Sequence, residues 1–168
     1  MTTLQYGAGR ADLMLKTMGV QVQAVLGPRP ISQQLINALT INVKNEIGSL
    51  TASAQQKVSE ALIQGVNDGV GPKVMAKNIS EATGMERARA VTIARTETMR
   101  ANVSASVDRF KRYGVDKVQW LVADDDRLCD DCNDLSDKVY DIDEAPDCPL
   151  HPNCRCVLIP YIEEGEDA

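Results

Sequence analysis

All five cysteines and the single histidine of this chain fall within 28 consecutive positions, and this cluster constrains the fold more than any other feature. The chain has 168 residues, and no cysteine or histidine occurs before position 129. Two close pairs of such residues, separated by a loop of roughly 15–20 positions, have the spacing of a structural zinc site, because two tight turns can then meet around one tetrahedral ion. The six residues are Cys129, Cys132, Cys148, His151, Cys154 and Cys156.

The spacing also ranks the candidate ligands. The pair Cys129 and Cys132 is the most secure, while Cys154 and Cys156 compete for a position in the second pair. Cys148 is the least favoured ligand, because it stands outside both pairs and precedes a proline. We therefore predict a structural zinc ion held by four of five residues, which are Cys129, Cys132, His151, Cys154 and Cys156.

Two other uses of the cysteines stay open at this point. Disulfides need an oxidising compartment, and the N-terminal sequence lacks the basic start and apolar run of a secretory signal. Five cysteines would also leave one unpaired. A redox Cys-x-x-Cys motif is typical of a helix N-terminus in an α/β protein, which the flanking sequence does not indicate. We favour the metal site over both.

The last third of the chain is too polar to fold on an apolar core alone. Residues 113–168 carry four basic and sixteen acidic groups, a net charge of −12, whereas residues 73–112 have a net charge of +5 and residues 1–72 of +1. A module this small usually needs a staple, and structural zinc contributes on the order of 10–16 kcal/mol in isolated finger peptides. The negative charge repels phosphate, so we expect no nucleic-acid binding through this part.

The rest of the chain predicts helices. Apolar residues recur at helical spacing over 11–26, 30–47 and 51–68, and a short helix follows Pro72. Thr83 and Glu86 have the spacing of a capping box, which opens a helix of about 28 residues that ends near Gly114. β-forming residues predict short strands at 117–122, 139–140 and 156–159.

These elements predict an α+β protein, with an N-terminal helical region that includes one long helix and then a small β-rich module stapled by zinc. We divide the chain into a helical region at 1–72, a long-helix segment at 73–114, the Cys/His module at 115–162 and an acidic tail at 163–168. No apolar run approaches the ~20 residues that a membrane span needs.

Two charged residues on the long helix point to opposite faces, since Arg95 and Glu97 are separated by roughly 200°. Arg95 shares a stripe with Met99 and Phe110, and Glu97 lies on an alanine-rich face. We expect both faces to be packed and each charge to have a partner, with the acidic run at 124–126 as a candidate for Arg95. A snorkelling arginine and an exposed glutamate fit the pattern equally well.

The segment after the long helix contains two further features. Trp120 is the only tryptophan of the chain, and we expect it to anchor the core of the small module. The run Asp124–Asp126 lacks the glycine spacing of a calcium loop, so a turn whose carboxylates bond backbone amides is favoured over a cation site.

Four motifs together resemble the Mu F-like minor head proteins of tailed phages, also called phage head morphogenesis proteins. The motifs are Ala94-Arg95-Thr96-Glu97 on a helix, Trp120, Asp125-x-Arg127-x-Cys129-x2-Cys132, and His151-Pro152-Asn153-Cys154-Arg155-Cys156. The resemblance covers about residues 75–160. Two positions depart from the family pattern, since Asp137 stands where the family usually has glycine and Cys148 has no clear counterpart.

The resemblance implies a low-copy structural protein of the virus head and not an enzyme. It implies association with the portal protein, with the major capsid or scaffold protein as further candidate partners, and a role in head assembly and in DNA packaging or ejection. DNA contact stays open, and no membrane partner is implied. The implied location is the virion head near the portal, and the host cytoplasm during assembly. In this interpretation Arg95, Glu97, Trp120, Asp125 and Arg127 have structural roles.

The main alternative is a zinc-dependent hydrolase or nuclease in which the aspartates supply acid–base or metal chemistry. Catalytic zinc keeps an open position and usually prefers histidines, whereas this chain has one histidine among five cysteines. No glycine-rich phosphate loop or nucleophile elbow accompanies the cluster. A DNA-binding zinc module is a third class, and the charge of −12 on residues 113–168 argues against it.

Overall fold

The computed structural model describes residues 3–19 and 50–162, and this part of the chain has five helices and one three-stranded sheet. The elements are α1 (Thr3–Thr17), α2 (Ala52–Asp68), α3 (Pro72–Thr83), α4 (Arg87–Arg112), β1 (Lys117–Leu121), α5 (Asp130–Asn133), β2 (Val139–Asp141) and β3 (Val157–Tyr161). The α+β class is therefore confirmed. Positions 20–26 of the first predicted helix, the helix predicted at 30–47 and the tail at 163–168 lie outside the described residues, and the division into four segments stays a prediction.

Two predicted helix boundaries are wrong. The first helix ends at Thr17 and does not run through Met18, because Gly19 adopts a φ of +80° and turns the chain. The capping box at Thr83 does not form, because Glu86 is itself the N-cap of the next helix, and the Thr83 hydroxyl accepts the Met85 N–H at 3.2 Å while it donates to the Ile79 carbonyl at 2.7 Å. Gly84, with a φ of +70°, then ends α3, and α4 starts at Arg87 and is 26 residues long.

Helix α4 is the longest element and contributes to two separate cores. Its N-terminal half packs on α2 and α3, where the two shorter helices approach closely because Gly65 has no side chain. A Cβ at that position would lie 2.6 Å from Cγ of Met75. The buried residues of this first core are Val58, Leu62, Val66, Met75, Ala76, Ile79, Met85, Ala90, Ile93, Ala94 and Ala101.

The second core lies between α1, the C-terminal half of α4 and the sheet. Strand β1 is central, and it pairs antiparallel with β2 on one side and β3 on the other. One face of the sheet packs on the helices, and Trp120 of β1 is its largest fully buried side chain. The buried residues of this core are Ala11, Leu15, Val103, Phe110, Val115, Val118, Trp120, Cys132, Cys148, Cys154, Cys156 and Leu158.

An ion pair joins α1 to α4. The Arg109 guanidinium, 5% exposed, donates from both Nε and Nη2 to the Asp12 carboxylate, with the Nη2–Oδ2 bond at 3.0 Å. The same guanidinium lies 4.8 Å from the centre of the Tyr113 ring. Because these residues are 97 positions apart, local sequence patterns did not reveal the pair. None of the described helices combines the length and the apolar character needed to cross a membrane.

Candidate metal centre

Two turns of the small module face each other and present the cysteines and the histidine. Cys129 caps the N-terminus of α5, where its sulfur accepts the Cys132 backbone N–H at 3.4 Å. The second turn precedes β3, and there the Cys154 N–H donates to the His151 carbonyl at 3.1 Å. A tight turn at each place directs two side chains toward the space between them, which is the local geometry that the paired spacing predicts.

The side-chain ligand atoms come together in two overlapping groups. His151 Nε2 lies 3.2 Å from Cys129 Sγ and 3.1 Å from Cys132 Sγ. Cys132 Sγ lies 3.7 Å from Cys154 Sγ, close to the edge of about 3.8 Å that a tetrahedron with zinc–sulfur bonds of about 2.3 Å would have. The ligand atoms within each group lie within 4.8 Å of one another; the groups are Cys129, Cys132 and His151, and Cys132, Cys154 and Cys156.

All five predicted ligands therefore surround one space, and Cys132 belongs to both groups. The space has a volume of about 20 Å³, which suits a single ion rather than a substrate. Cys148 belongs to neither group, because its sulfur donates to the Cys156 carbonyl at 3.2 Å. This cluster can hold a metal ion, and its donor set of four thiols and one imidazole is the set that zinc prefers.

Burial and backbone amides act on these thiols in opposite directions. The Cys132 backbone N–H lowers the pKa of Cys129, because it stabilises the thiolate. Burial raises the pKa of Cys132 and of Cys148, since a thiolate would lose its hydration there. Thiolates buried together need a cation to offset the cost of their desolvation, so the electrostatics of the cluster fit a bound metal ion.

Asp125 joins the loop after β1 to the start of β3. The Arg155 guanidinium binds its carboxylate through two nitrogens, with Nη2–Oδ1 at 2.6 Å, and the Arg127 backbone N–H donates to Oδ1 at 2.9 Å. The neighbouring Arg155 holds the pKa of Asp125 well below its usual range. Since Arg155 lies between two candidate ligands in sequence, this pair fixes the second turn. The turn that the sequence predicts at 124–126 forms. The predicted ion pair between this acidic run and Arg95 is wrong.

The metal cluster also contacts α4 directly. Asn153 has a φ of +60° and its backbone N–H donates to the Thr96 hydroxyl at 3.0 Å. Thr96 is almost fully buried and in turn donates to the Thr92 carbonyl at 2.9 Å. The two motifs Ala94–Glu97 and His151–Cys156 thus meet at a hydrogen bond that sequence reasoning missed. A signal for this contact was present in the sequence, because Thr96 and Asn153 both belong to these two motifs.

The structure corrects the expectation for Arg95 and locates the remaining site residues. Arg95 is exposed and does not face a packed surface. Residues four apart lie about 40° from each other around a helix, so the stripe that contains Met99 is rotated away from Arg95. Glu97 is fully buried and forms an ion pair with Arg100 on the same helix.

Trp120 lies beside the metal cluster. Burial raises the pKa of Cys156, and the buried indole N–H of Trp120 beside that thiol acts in the opposite direction.

Comparisons with known proteins agree with these motifs. Residues 56–159 match the family described as phage Mu protein F like protein. An uncharacterized protein of Haemophilus influenzae is 27% identical over 152 residues, which are 88% of this chain and 34% of that protein. An uncharacterized protein of Methanocaldococcus jannaschii is 24% identical over 132 residues, 77% of this chain and 21% of that protein.

The chain thus spans about a third and about a fifth of the lengths of these two relatives. No solved structure matches the chain at a significant level. The family match includes the Ala94–Glu97 motif of α4, Asp125 with Arg155 and the whole Cys/His cluster. Because it covers well over half of the chain, this protein belongs to the phage Mu protein F-like family.

Proposed function

We propose that the protein is a structural minor head protein of a tailed virus, which associates with the portal and acts in head morphogenesis and in DNA packaging or ejection. Membership of a phage head morphogenesis family supports the first part of this proposal. The major capsid or scaffold protein is a further candidate partner. The protein would reside in the virion head near the portal, after assembly in the host cytoplasm.

The observation that carries the proposal is the closed, cysteine-rich centre that is tied to the longest helix. Four of Cys129, Cys132, His151, Cys154 and Cys156 would hold a zinc ion. When bound, the ion supplies a cross-link between two turns, and a four-ligand set leaves no open position for a substrate. The hydrogen bond from Asn153 to Thr96 and the Asp125–Arg155 pair then hold this cross-linked unit on α4. Such an arrangement supports a rigid assembly module.

The hydrolase alternative finds less support in the same geometry. A catalytic aspartate must be able to take up a proton, but the exposed carboxylate of Asp125 is held by Arg155 and by the Arg127 amide. The single histidine lies against two cysteine sulfurs, 3.1 and 3.2 Å away, where it would serve as a ligand and not as a base. The space inside the cluster has the size of an ion. These contacts favour a structural centre over a hydrolytic one.

Co-expression of the full chain with the portal and major capsid proteins of the same virus tests the proposal. We expect a stable complex with a head component, one zinc per chain in native mass spectrometry, and no DNA cleavage with added Mg²⁺, Mn²⁺ or Zn²⁺. The matched variants are Cys132→Ser, which removes the shared ligand, and Cys148→Ser, which leaves both ligand groups intact. DNA cleavage that disappears in Cys132→Ser but persists in Cys148→Ser would contradict the structural role.

A further inference from the structure

The indole ring of Trp120 lies on the buried face of the sheet, next to the metal cluster. The strand register pairs Trp120 of β1 with Leu158 of β3, and burial alternates along 156–160, so Cys156 shares the face of Leu158. Residues in such diagonal positions on neighbouring strands are roughly 7–8 Å apart, a distance that an aromatic side chain can span. Trp120 is 0% exposed and Cys156 is 2% exposed. The fold therefore brings the indole ring and the Cys156 sulfur together in one buried place.

The indole N–H of Trp120 is a buried donor that needs an acceptor. Its Nε1 atom is shielded from solvent, and no oxygen or nitrogen of residues 3–19 and 50–162 accepts its proton. Buried N–H groups without a partner are rare in folded proteins, because they lose the hydrogen bond that water supplies in the unfolded chain. The Cys156 sulfur lies beside this N–H. This sulfur is the acceptor that the geometry offers.

The charge on the Cys156 sulfur determines how strong this hydrogen bond is. A neutral thiol is a weak acceptor, whereas a thiolate accepts a charge-assisted hydrogen bond. Cys156 belongs to one ligand group with Cys132 and Cys154, whose sulfurs lie within 4.8 Å of one another. Thiolates this close together and this well buried require a cation. A metal-bound thiolate at Cys156 would therefore satisfy both the clustered sulfurs and the indole N–H.

Cys148 has the opposite arrangement, although it is also buried and lies near the same turn. Its sulfur donates a hydrogen bond to the Cys156 carbonyl at 3.2 Å, which only a protonated thiol can do. Within the described part of the chain, Cys148 belongs to neither ligand group. The hydrogen bonds thus distinguish Cys156, whose sulfur is placed to accept a proton, from Cys148, whose sulfur gives one.

We propose that Cys156 is one of the metal ligands and that the Trp120 indole N–H donates a hydrogen bond to its metal-bound sulfur. Trp120 is then a positioning residue, because it fixes the direction of the Cys156 side chain and attaches the metal cluster to β1, the central strand of the sheet. This inference rests on the proposed function, since it concerns the zinc centre on which that function is based.

NMR of the full-length chain loaded with ¹¹³Cd²⁺ tests the hydrogen bond directly. We expect a scalar coupling between the metal and the indole proton of Trp120, because such a coupling passes through an N–H···S–Cd link only if that sulfur is a ligand. Cys156→Ser should abolish the coupling, while Cys148→Ser should retain it. A coupling that persists in Cys156→Ser, or a cadmium-loaded wild-type chain without one, would contradict the proposal.

Trp120→Phe keeps an aromatic ring in the core and removes the N–H. We expect a loss of zinc affinity of roughly tenfold, as is typical when a hydrogen-bond partner of a metal ligand is removed. In the cobalt-loaded protein the thiolate-to-Co²⁺ charge-transfer band should move to longer wavelength, because a sulfur without its hydrogen bond gives up an electron more easily. The control Phe110→Leu disturbs the packing of the same core and should leave the band in place.

Failure of this inference can be distinguished from failure of the proposed function. A wild-type chain that binds zinc and a head component, but whose zinc affinity and cobalt spectrum do not change in Trp120→Phe, would overturn the role of Trp120 and leave the proposed function intact. A wild-type chain that binds no metal in native mass spectrometry would refute the structural centre, and the inference with it.

Discussion

The two halves of α4 belong to cores that are stabilised in different ways. The N-terminal half contributes to a core made of aliphatic side chains and methionines from α2, α3 and α4. The C-terminal half contributes to a core that contains four cysteines and Trp120, and the ion pair of Asp12 with Arg109 joins this half to α1. The hydrogen bond from Asn153 to Thr96 links the same metal cluster to the N-terminal half. The first core depends on close packing and the second on polar links between distant segments. The two regions should therefore respond differently to the same perturbation.

Removal of the shared ligand should have the largest effect. In Cys132→Ser the module at 115–162 should lose its bound zinc and its resistance to proteolysis, since zinc binding is worth on the order of 10 kcal/mol in small domains of this kind. Limited proteolysis with mass spectrometry would show cleavage in this module, while α2, α3 and the N-terminal half of α4 stay intact. Cys148→Ser is the control, with wild-type zinc content. A protease-resistant, zinc-loaded Cys132→Ser protein would remove the distinction between the two regions.

Breaking the ion pair between α1 and α4 should have the second largest effect on stability. Asp12→Ala leaves the buried Arg109 guanidinium without its carboxylate partner, and since Asp12 is 23% exposed we expect a loss of about 2–4 kcal/mol in the free energy of unfolding. The control is Asp143→Ala, which breaks the exposed pair with Lys111 and should cost less than about 1 kcal/mol. Urea unfolding measures both. Equal losses would show that burial does not decide the strength of these pairs.

The contact between α4 and the metal cluster can be weakened without touching a ligand. Thr96→Val keeps the shape of the side chain but removes the acceptor of the Asn153 N–H, so we expect a loss of about 1–2 kcal/mol. Thr92→Val is the control, because its hydroxyl accepts only a bond of 3.5 Å from the Asn153 side chain. Hydrogen exchange of the Asn153 amide should accelerate in Thr96→Val alone. Unchanged exchange would mean that the cluster holds its turn without support from the helix.

A substitution in the loop between α5 and β2 should not lower the free energy of unfolding, unlike the substitutions above. Asp137 adopts a φ of +61°, which glycine tolerates better than any other residue. Asp137→Gly should therefore leave the free energy of unfolding unchanged or raise it by up to about 1 kcal/mol, although a more flexible unfolded chain offsets part of the gain. Asp137→Ala should lower it. Chemical denaturation compares the two, and a less stable glycine variant would show that the aspartate side chain matters more than the backbone.

The sequence predicts element types and the metal cluster well, because both depend on local spacing. Periodic apolar residues indicate the helices, and the close cysteine pairs indicate the two turns. Contacts between segments that are far apart in the sequence leave no such local pattern. The pair of Asp12 with Arg109 spans 97 positions, and no local pattern marks either residue.

The two wrong predictions, for Thr83 and for Arg95, also have physical reasons. Thr83 could end one helix or open the next, and it ends the first, because the next helix starts only at Arg87 with Glu86 as its N-cap. The face of Arg95 was inferred from a stripe that includes Met99, four positions further on, and such a stripe drifts around a helix with 3.6 residues per turn. In both cases the tertiary environment selects between alternatives that the local sequence leaves nearly equal.

The smallest predicted effect concerns Asp108, in the half of α4 that faces the second core. Burial raises the pKa of its carboxyl, and nearby Lys111 only partly opposes this. A carboxyl whose pKa is higher in the folded than in the unfolded state binds its proton more tightly when folded, so its contribution to stability is present at low pH and is lost as the pH rises through the folded pKa. Asp108→Asn should therefore raise the free energy of unfolding at pH 7 by no more than about 0.5 kcal/mol. Urea unfolding at pH 7 and an NMR titration of the Asp108 carboxyl carbon measure the two quantities. A destabilised Asn variant would mean that the ionised carboxylate has a stabilising partner, and the C-terminal half of α4 would then depend on one more polar link.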